Sequence, residues 1–174
     1  MRPTNPLWYL AAFVVALGSV MIGTVVAASA WEPVRNATVL PTTARADAAG
    51  QSVAVFTDIL QPERAVTCRA TTPTKKRRAI PAAALEITVD DDGNQWHLIG
   101  LLNKGSNGLK ISCEPRDDRA DNASYGYALI SGFDSRANTG NGIGAIGVGA
   151  GALFAGYVFY IRRKYRKERA HESA

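Results

Sequence analysis

The sequence predicts a membrane protein in which two transmembrane α-helices flank a small all-β, antiparallel sandwich-like domain that lies outside the membrane and carries one disulfide. Three observations carry that expectation: two long charge-free apolar runs, a concentration of Lys and Arg behind the second of them, and a middle section of short alternating segments that holds both cysteines.

The charge distribution decides how the chain is read. Its formal net charge is +5, which on a folded domain would suggest nucleic acid. Residues 31–141, however, hold 13 Lys or Arg and 13 Asp or Glu, so the excess lies at the ends. Arg2 precedes the first apolar run, while Arg162, Arg163, Lys164, Arg166, Lys167 and Arg169 follow the second. Basic residues close to a span stay on the cytoplasmic side, so both termini are expected inside and residues 31–141 outside. Nucleic acid is therefore not an expected partner, whereas membrane lipid is.

The elements follow in chain order. Residues 1–6 form a short cytoplasmic start. Residues 7–30 hold 24 uncharged positions, with Trp8 and Tyr9 at one end and Trp31 just past the other. About 20 helical residues cross a bilayer, and aromatic rings favour its two interfaces, so this run is the first span. Ala28, Ser29 and Ala30 also match a signal-peptidase pattern, but the apolar run is longer than the ~7 to 15 residues usual in a signal peptide. Cleavage there would leave the middle section on the same side.

Residues 31–50 contain Pro33, Pro41 and many Ala without a sustained period, which predicts a tether. Residues 51–131 form the β domain. Strands are expected near 52–56, 66–70, 85–89, 95–102, 109–113 and 125–129, with Asp92 and Gly93 reversing the chain between the third and fourth. One helical turn is expected within 80–85. A polar linker at 132–141 leads to the second span at 142–161, and 162–174 is a basic cytoplasmic tail.

Cys68 and Cys113 are the only cysteines, and the expected topology puts both in an oxidising compartment. A disulfide between them is the default expectation.

Most chemical motifs fail on context. Gly142, Gly144 and Gly147 match G-x-G-x-x-G, but polar linker rather than a strand precedes them and the basic tail follows. In calcium-loop register, Thr88 and Ile99 would occupy the first and last ligand positions of the acidic stretch at Asp90 to Asn94, which makes it a turn. His97 has no nucleophile motif beside it, and G-x-S-x-G, P-loop and H-E-x-x-H patterns are all missing from the sequence. The expectation is a non-enzymatic protein with no cofactor and no metal.

Two surfaces stand out instead. Lys75, Lys76, Arg77 and Arg78 form the one basic cluster of the outer section, a solvated loop or a contact for anionic lipid or envelope polymer. In the second span, Gly140, Gly144, Gly147, Gly151 and Ala155 form one stripe, and Gly142, Ala145, Gly149, Ala152 and Gly156 form another. Small residues let helices approach closely in lipid, and Ala12, Ala16, Ser19, Gly23 and Ala27 offer a matching stripe on the first span.

The layout resembles that of actinobacterial two-span envelope proteins: Pro6, Leu7, Trp8, Tyr9 and Leu10 open the first span, and a small outer β domain, a Gly-rich second span and an Arg/Lys tail follow. That resemblance implies an envelope location and transfers no activity or functional residue. The functional expectation is an accessory or scaffold protein of the bacterial cell envelope with a membrane-protein partner, a second copy of the chain being one such partner. The competing expectation is a sensor or ligand-binding module for envelope polymer or lipid.

Overall fold

The computed structural model describes residues 7–60, 66–116 and 121–172, and the chain divides into two compact units, a helical pair and a β unit over Ala30–Ser135. The start at 1–6, with Arg2, lies outside the described residues, as do the side chains of Arg166, Lys167 and Arg169.

In the helical unit, α1 (Leu7–Ala28) is 22 residues of apolar and small side chains without a proline. At 1.5 Å per residue it is about 33 Å long, which matches a hydrocarbon core of about 30 Å. α3 (Phe133–Glu172) is longer, and both helices are long and apolar enough to cross a membrane. Gly23 meets Gly140, Ser19 meets Gly147, and Ala12 and Ala16 meet Gly151, so the two run antiparallel. At one end Trp8 and Phe154 meet edge to face at 5.9 Å; at the other, Arg136 Nη1 donates to the Ser29 carbonyl oxygen at 3.3 Å.

The expected polar linker is helical. Gly132 (φ 73°) turns the chain and α3 begins at once at Phe133, with Asp134 in its first turn, where a carboxylate complements the helix dipole. The polar residues Asn138 to Asn141 break no backbone rule for a helix, and Gly140 is held there by its contact with α1. The basic tail likewise continues α3 to Glu172.

Among the described residues the β unit has eight strands: β1 (Leu40–Pro41), β2 (Ser52–Thr57), β3 (Val66–Thr71), β4 (Arg77–Ala79), β5 (Thr88–Asp91), β6 (Asn94–Leu102), β7 (Lys110–Pro115) and β8 (Tyr125–Ile130). They pair antiparallel in two sheets, ordered β1-β8-β2-β6-β5 and β4-β3-β7. Asp92 (φ 50°) and Gly93 (φ 79°) form the left-handed two-residue turn of the β5–β6 hairpin, the geometry that matches strand twist.

The core lies between the sheets. Val53 and Val55 of β2, Leu102 of β6 and Tyr127 of β8 face Cys68 and Ala70 of β3 and Ile111 of β7. β2 is buried along its whole length, because its other face, Ser52, Ala54 and Phe56, is covered as well.

That second cover corrects the expectation of a tether. After a 3₁₀ turn at Ser29–Trp31, α2 (Glu32–Arg35) packs on β5 and β8, with Ala30 and Val34 fully buried and Trp31 edge to face on Phe133 at 4.9 Å. Val39 N–H donates to Asp91 Oδ2 at 2.7 Å, and Ala46 pairs with Leu109 by backbone hydrogen bonds in both directions. The apolar residues of this stretch follow no sustained period, yet a sheet buried on both faces recruits the nearest small ones.

A second correction concerns residues 80–87. No helical turn forms there, and the strand expected at 85–89 starts at Thr88. Instead Ile80 N–H donates to the Cys68 carbonyl of one sheet, while the Pro81 carbonyl accepts from Leu101 N–H and Ala83 N–H donates to Ile99 O in the other. Gly100 makes this crossing possible: a Cβ there would lie 2.9 Å from Ile80 Cγ2 and 3.0 Å from the Pro81 oxygen.

Cys68 and Cys113 sit directly opposite on β3 and β7 and are bonded, 45 positions apart in sequence and with Cα atoms 4.0 Å apart. Tying the two strands shortens the loop of the unfolded chain, worth about 4 kcal/mol on the loop-entropy model. Replacing either cysteine by Ala is expected to destabilise the β unit by roughly 2–5 kcal/mol, seen as a lower midpoint of thermal unfolding in detergent. Equal midpoints for oxidised and reduced protein would contradict this.

Candidate functional site

The two small-residue stripes of α3 have different surroundings. A methyl at Gly140 would lie 2.5 Å from the Gly23 carbonyl oxygen, one at Gly147 would fall on the Ser19 side chain, and one at Gly151 would sit 2.9 Å from the Ala12 oxygen. Gly144 is in ordinary contact with Val20. The contacting residues on α1 are therefore Ala12, Ala16, Ser19, Val20, Gly23 and Ala27. Without side chains on one helix, backbone approaches backbone, and dispersion accumulates along the seam. Ser19 adds no unpaired polar group, since its hydroxyl donates to the Val15 carbonyl at 2.7 Å.

The other stripe meets nothing: a Cβ built at Gly142, Gly149 or Gly156 has no atom within 4 Å. Around both stripes, large apolar side chains such as Val25, Ile146 and Leu153 are at least 70% exposed. A soluble protein rarely leaves such a surface bare.

At the end of the helical pair where the charges begin, Tyr9, Phe159, Arg162 and Arg163 line a recess. The Arg162 guanidinium lies over the Tyr9 ring, 4.9 Å from its centroid, a cation–π contact that fixes both groups.

The basic cluster of the β unit is divided by its secondary structure. Lys75 (φ 63°) and Lys76 lie in the β3–β4 turn, closed by a 2.9 Å bond from Lys75 N–H to Thr72 O, while Arg77 and Arg78 belong to β4, an outer strand of its sheet. Arg77 is in register with Thr71, and Thr71 with Lys110, so one row holds Arg77, Thr71 and Lys110. Arg78 is in register with Ala70, of the opposite parity, and donates to the Lys104 carbonyl at 3.3 Å. The exposed face of this sheet therefore gathers Arg69, Arg77 and Lys110, with Glu114 3.7 Å from Arg69. Lys110 and Arg69 are not adjacent to the cluster in sequence. The alternation of Arg69 with buried Cys68 and Ala70 signals its direction, but register alone brings it beside Arg77.

His97, Tyr125, Asp58 and Asp121 are hydrogen-bonded within the β unit. His97 Nδ1 is 3.2 Å from the hydroxyl of Thr88, its cross-strand neighbour. Tyr125 donates to Asp121 Oδ2 at 2.7 Å, and burial, then that carboxylate and the charge of Asp58, hold the phenol above its ordinary value of 10.0. Asp58 Oδ1 accepts from Ser124 N–H at 2.7 Å, so both carboxylates fasten the start of β8. Among the described residues no three His, Cys, Asp or Glu side chains gather as metal ligands would.

The two glycine stripes are expected to respond differently to bulk. Gly147→Leu should lower the unfolding midpoint of the protein in detergent by about 1–3 kcal/mol of overpacking, while Gly149→Leu should change it by less than about 0.5 kcal/mol. Equal effects of the two substitutions would contradict the asymmetry.

Comparison of the chain with protein-family models, with curated proteins and with solved structures finds no match.

Proposed function

We propose that the chain is a non-enzymatic accessory or scaffold protein of a bacterial cell envelope, held by two spans, with its β unit outside and both termini in the cytoplasm. The exposed apolar surface of both helices supports insertion, since lipid is the medium in which it costs nothing. Arg162, Arg163 and Lys164 at the end of α3 support a cytoplasmic tail, and the Cys68–Cys113 bond suits an oxidising outer compartment.

The observation that carries the scaffold role is the open line of Gly142, Gly149 and Gly156 beside a filled one. A helix pair needs one close seam, and this pair has it. A second line without bulk accommodates another membrane helix, from a partner protein or a second copy of the chain. Mild-detergent purification after crosslinking in intact cells tests this. The wild type should bring down a stoichiometric membrane partner or a second copy, and the triple Leu variant of Gly142, Gly149 and Gly156 should lose it. A wild-type chain that emerges as an uncrosslinked monomer contradicts the proposal.

A second reading, recognition of an anionic envelope polymer, is favoured by the row of Arg77, Thr71 and Lys110 beside Arg69. Replacing Arg69, Arg77 and Lys110 by Ser should then abolish sedimentation with isolated wall material and weaken the salt dependence of binding. Unchanged sedimentation would exclude this face.

A further inference from the structure

The recess at the basic end of the helical pair combines aromatic and guanidinium side chains from both helices. Arg162 and Arg163 stand three and four residues after Phe159 on α3, so each neighbours Phe159 on the helix surface, and Tyr9 of α1 closes the recess. Its volume of about 410 Å³ lies within the range of small-ligand sites.

The position along the helices sets the chemistry. The apolar run of α1 begins at Leu7, behind Arg2, Thr4 and Asn5, and that of α3 ends at Ile161, so Tyr9 and Arg162 stand where apolar sequence gives way to polar and charged residues. At that depth in a bilayer the neighbouring molecules are lipid glycerol and phosphate groups. The Arg162 guanidinium lies over the Tyr9 ring, and a guanidinium carries five N–H donors, enough for several partners at once. Arg163, a second guanidinium, and Tyr9, which carries a phenol, line the same recess. Two guanidiniums match the paired oxygens of a phosphate, and Phe159 offers apolar surface to the first carbons of an acyl chain.

The geometry points to a binding site for the phosphate of an anionic phospholipid of the cytoplasmic leaflet, formed by Tyr9, Phe159, Arg162 and Arg163. It rests on the membrane reading proposed above. The shared chemistry is a phosphate oxyanion, which a soluble phosphate compound also carries. The lipid is the source the site favours, because Phe159 and the end of the apolar run adjoin the two guanidiniums.

The test uses the full chain in nanodiscs of phosphatidylcholine doped with phosphatidylglycerol, with retained lipid counted by native mass spectrometry. Wild-type protein should keep phosphatidylglycerol in preference to phosphatidylcholine. Arg162→Gln with Arg163→Gln should lower that preference about tenfold, as the loss of charge-assisted hydrogen bonds predicts. Lys164→Gln with Lys167→Gln removes the same charge and should keep the preference. Arg162→Lys with Arg163→Lys keeps the charge without the planar forks and should fall between wild type and the Gln pair. Equal losses from the two Gln pairs, or full displacement by inorganic phosphate or glycerol phosphate, would overturn the lipid site. Integration with no preference overturns this inference alone. Failure of the wild type to enter nanodiscs overturns it together with the membrane reading.

Discussion

The structure of the helical unit depends on close approach between two backbones. On the membrane reading proposed above, hydrocarbon is as apolar as Leu, so two helices in it gain nothing by hiding apolar side chains, and contact and packing must hold them. Gly23 against Gly140 and Gly147 against Ser19 are places where any larger residue would push the helices apart. This seam also brings Tyr9 level with Arg162 and Ser29 level with Arg136, so the candidate phosphate site and the hydrogen bond at the opposite end are consequences of it.

The β unit answers a different constraint. β2 is buried on both faces, and a strand buried on both faces needs material above and below it. The three-stranded sheet supplies one cover and the segment around α2 supplies the other. The two sheets are then joined through backbone at residues 80–83, where Gly100 admits the crossing chain. The disulfide acts within one sheet, fastening β3 to β7, and therefore stabilises the smaller layer that covers the core.

Much of this was legible in the sequence wherever one residue type has one physical meaning. Six strands, the Asp92–Gly93 reversal and two apolar helices of bilayer length could be read from alternation, turn chemistry and run length. β1, with two residues, and β4, with three, are too short to show a period. The short helix at Glu32–Arg35 lies in an Ala- and Pro-containing stretch whose burial no local pattern announces. The helical linker was missed because polarity was read as loop, although nothing in Asn138 to Asn141 forbids a helix.

For the candidate sites the division is sharper. The sequence alone determined which residues are small, which are basic and where charge begins, because composition and spacing are local properties. Tertiary structure decided which glycine stripe is filled and which is open, since that depends on where α1 lies. It likewise separated Arg77 from Arg78 and joined Arg77 to Lys110, because strand register determines which side chains share a face and no residue carries its register by itself.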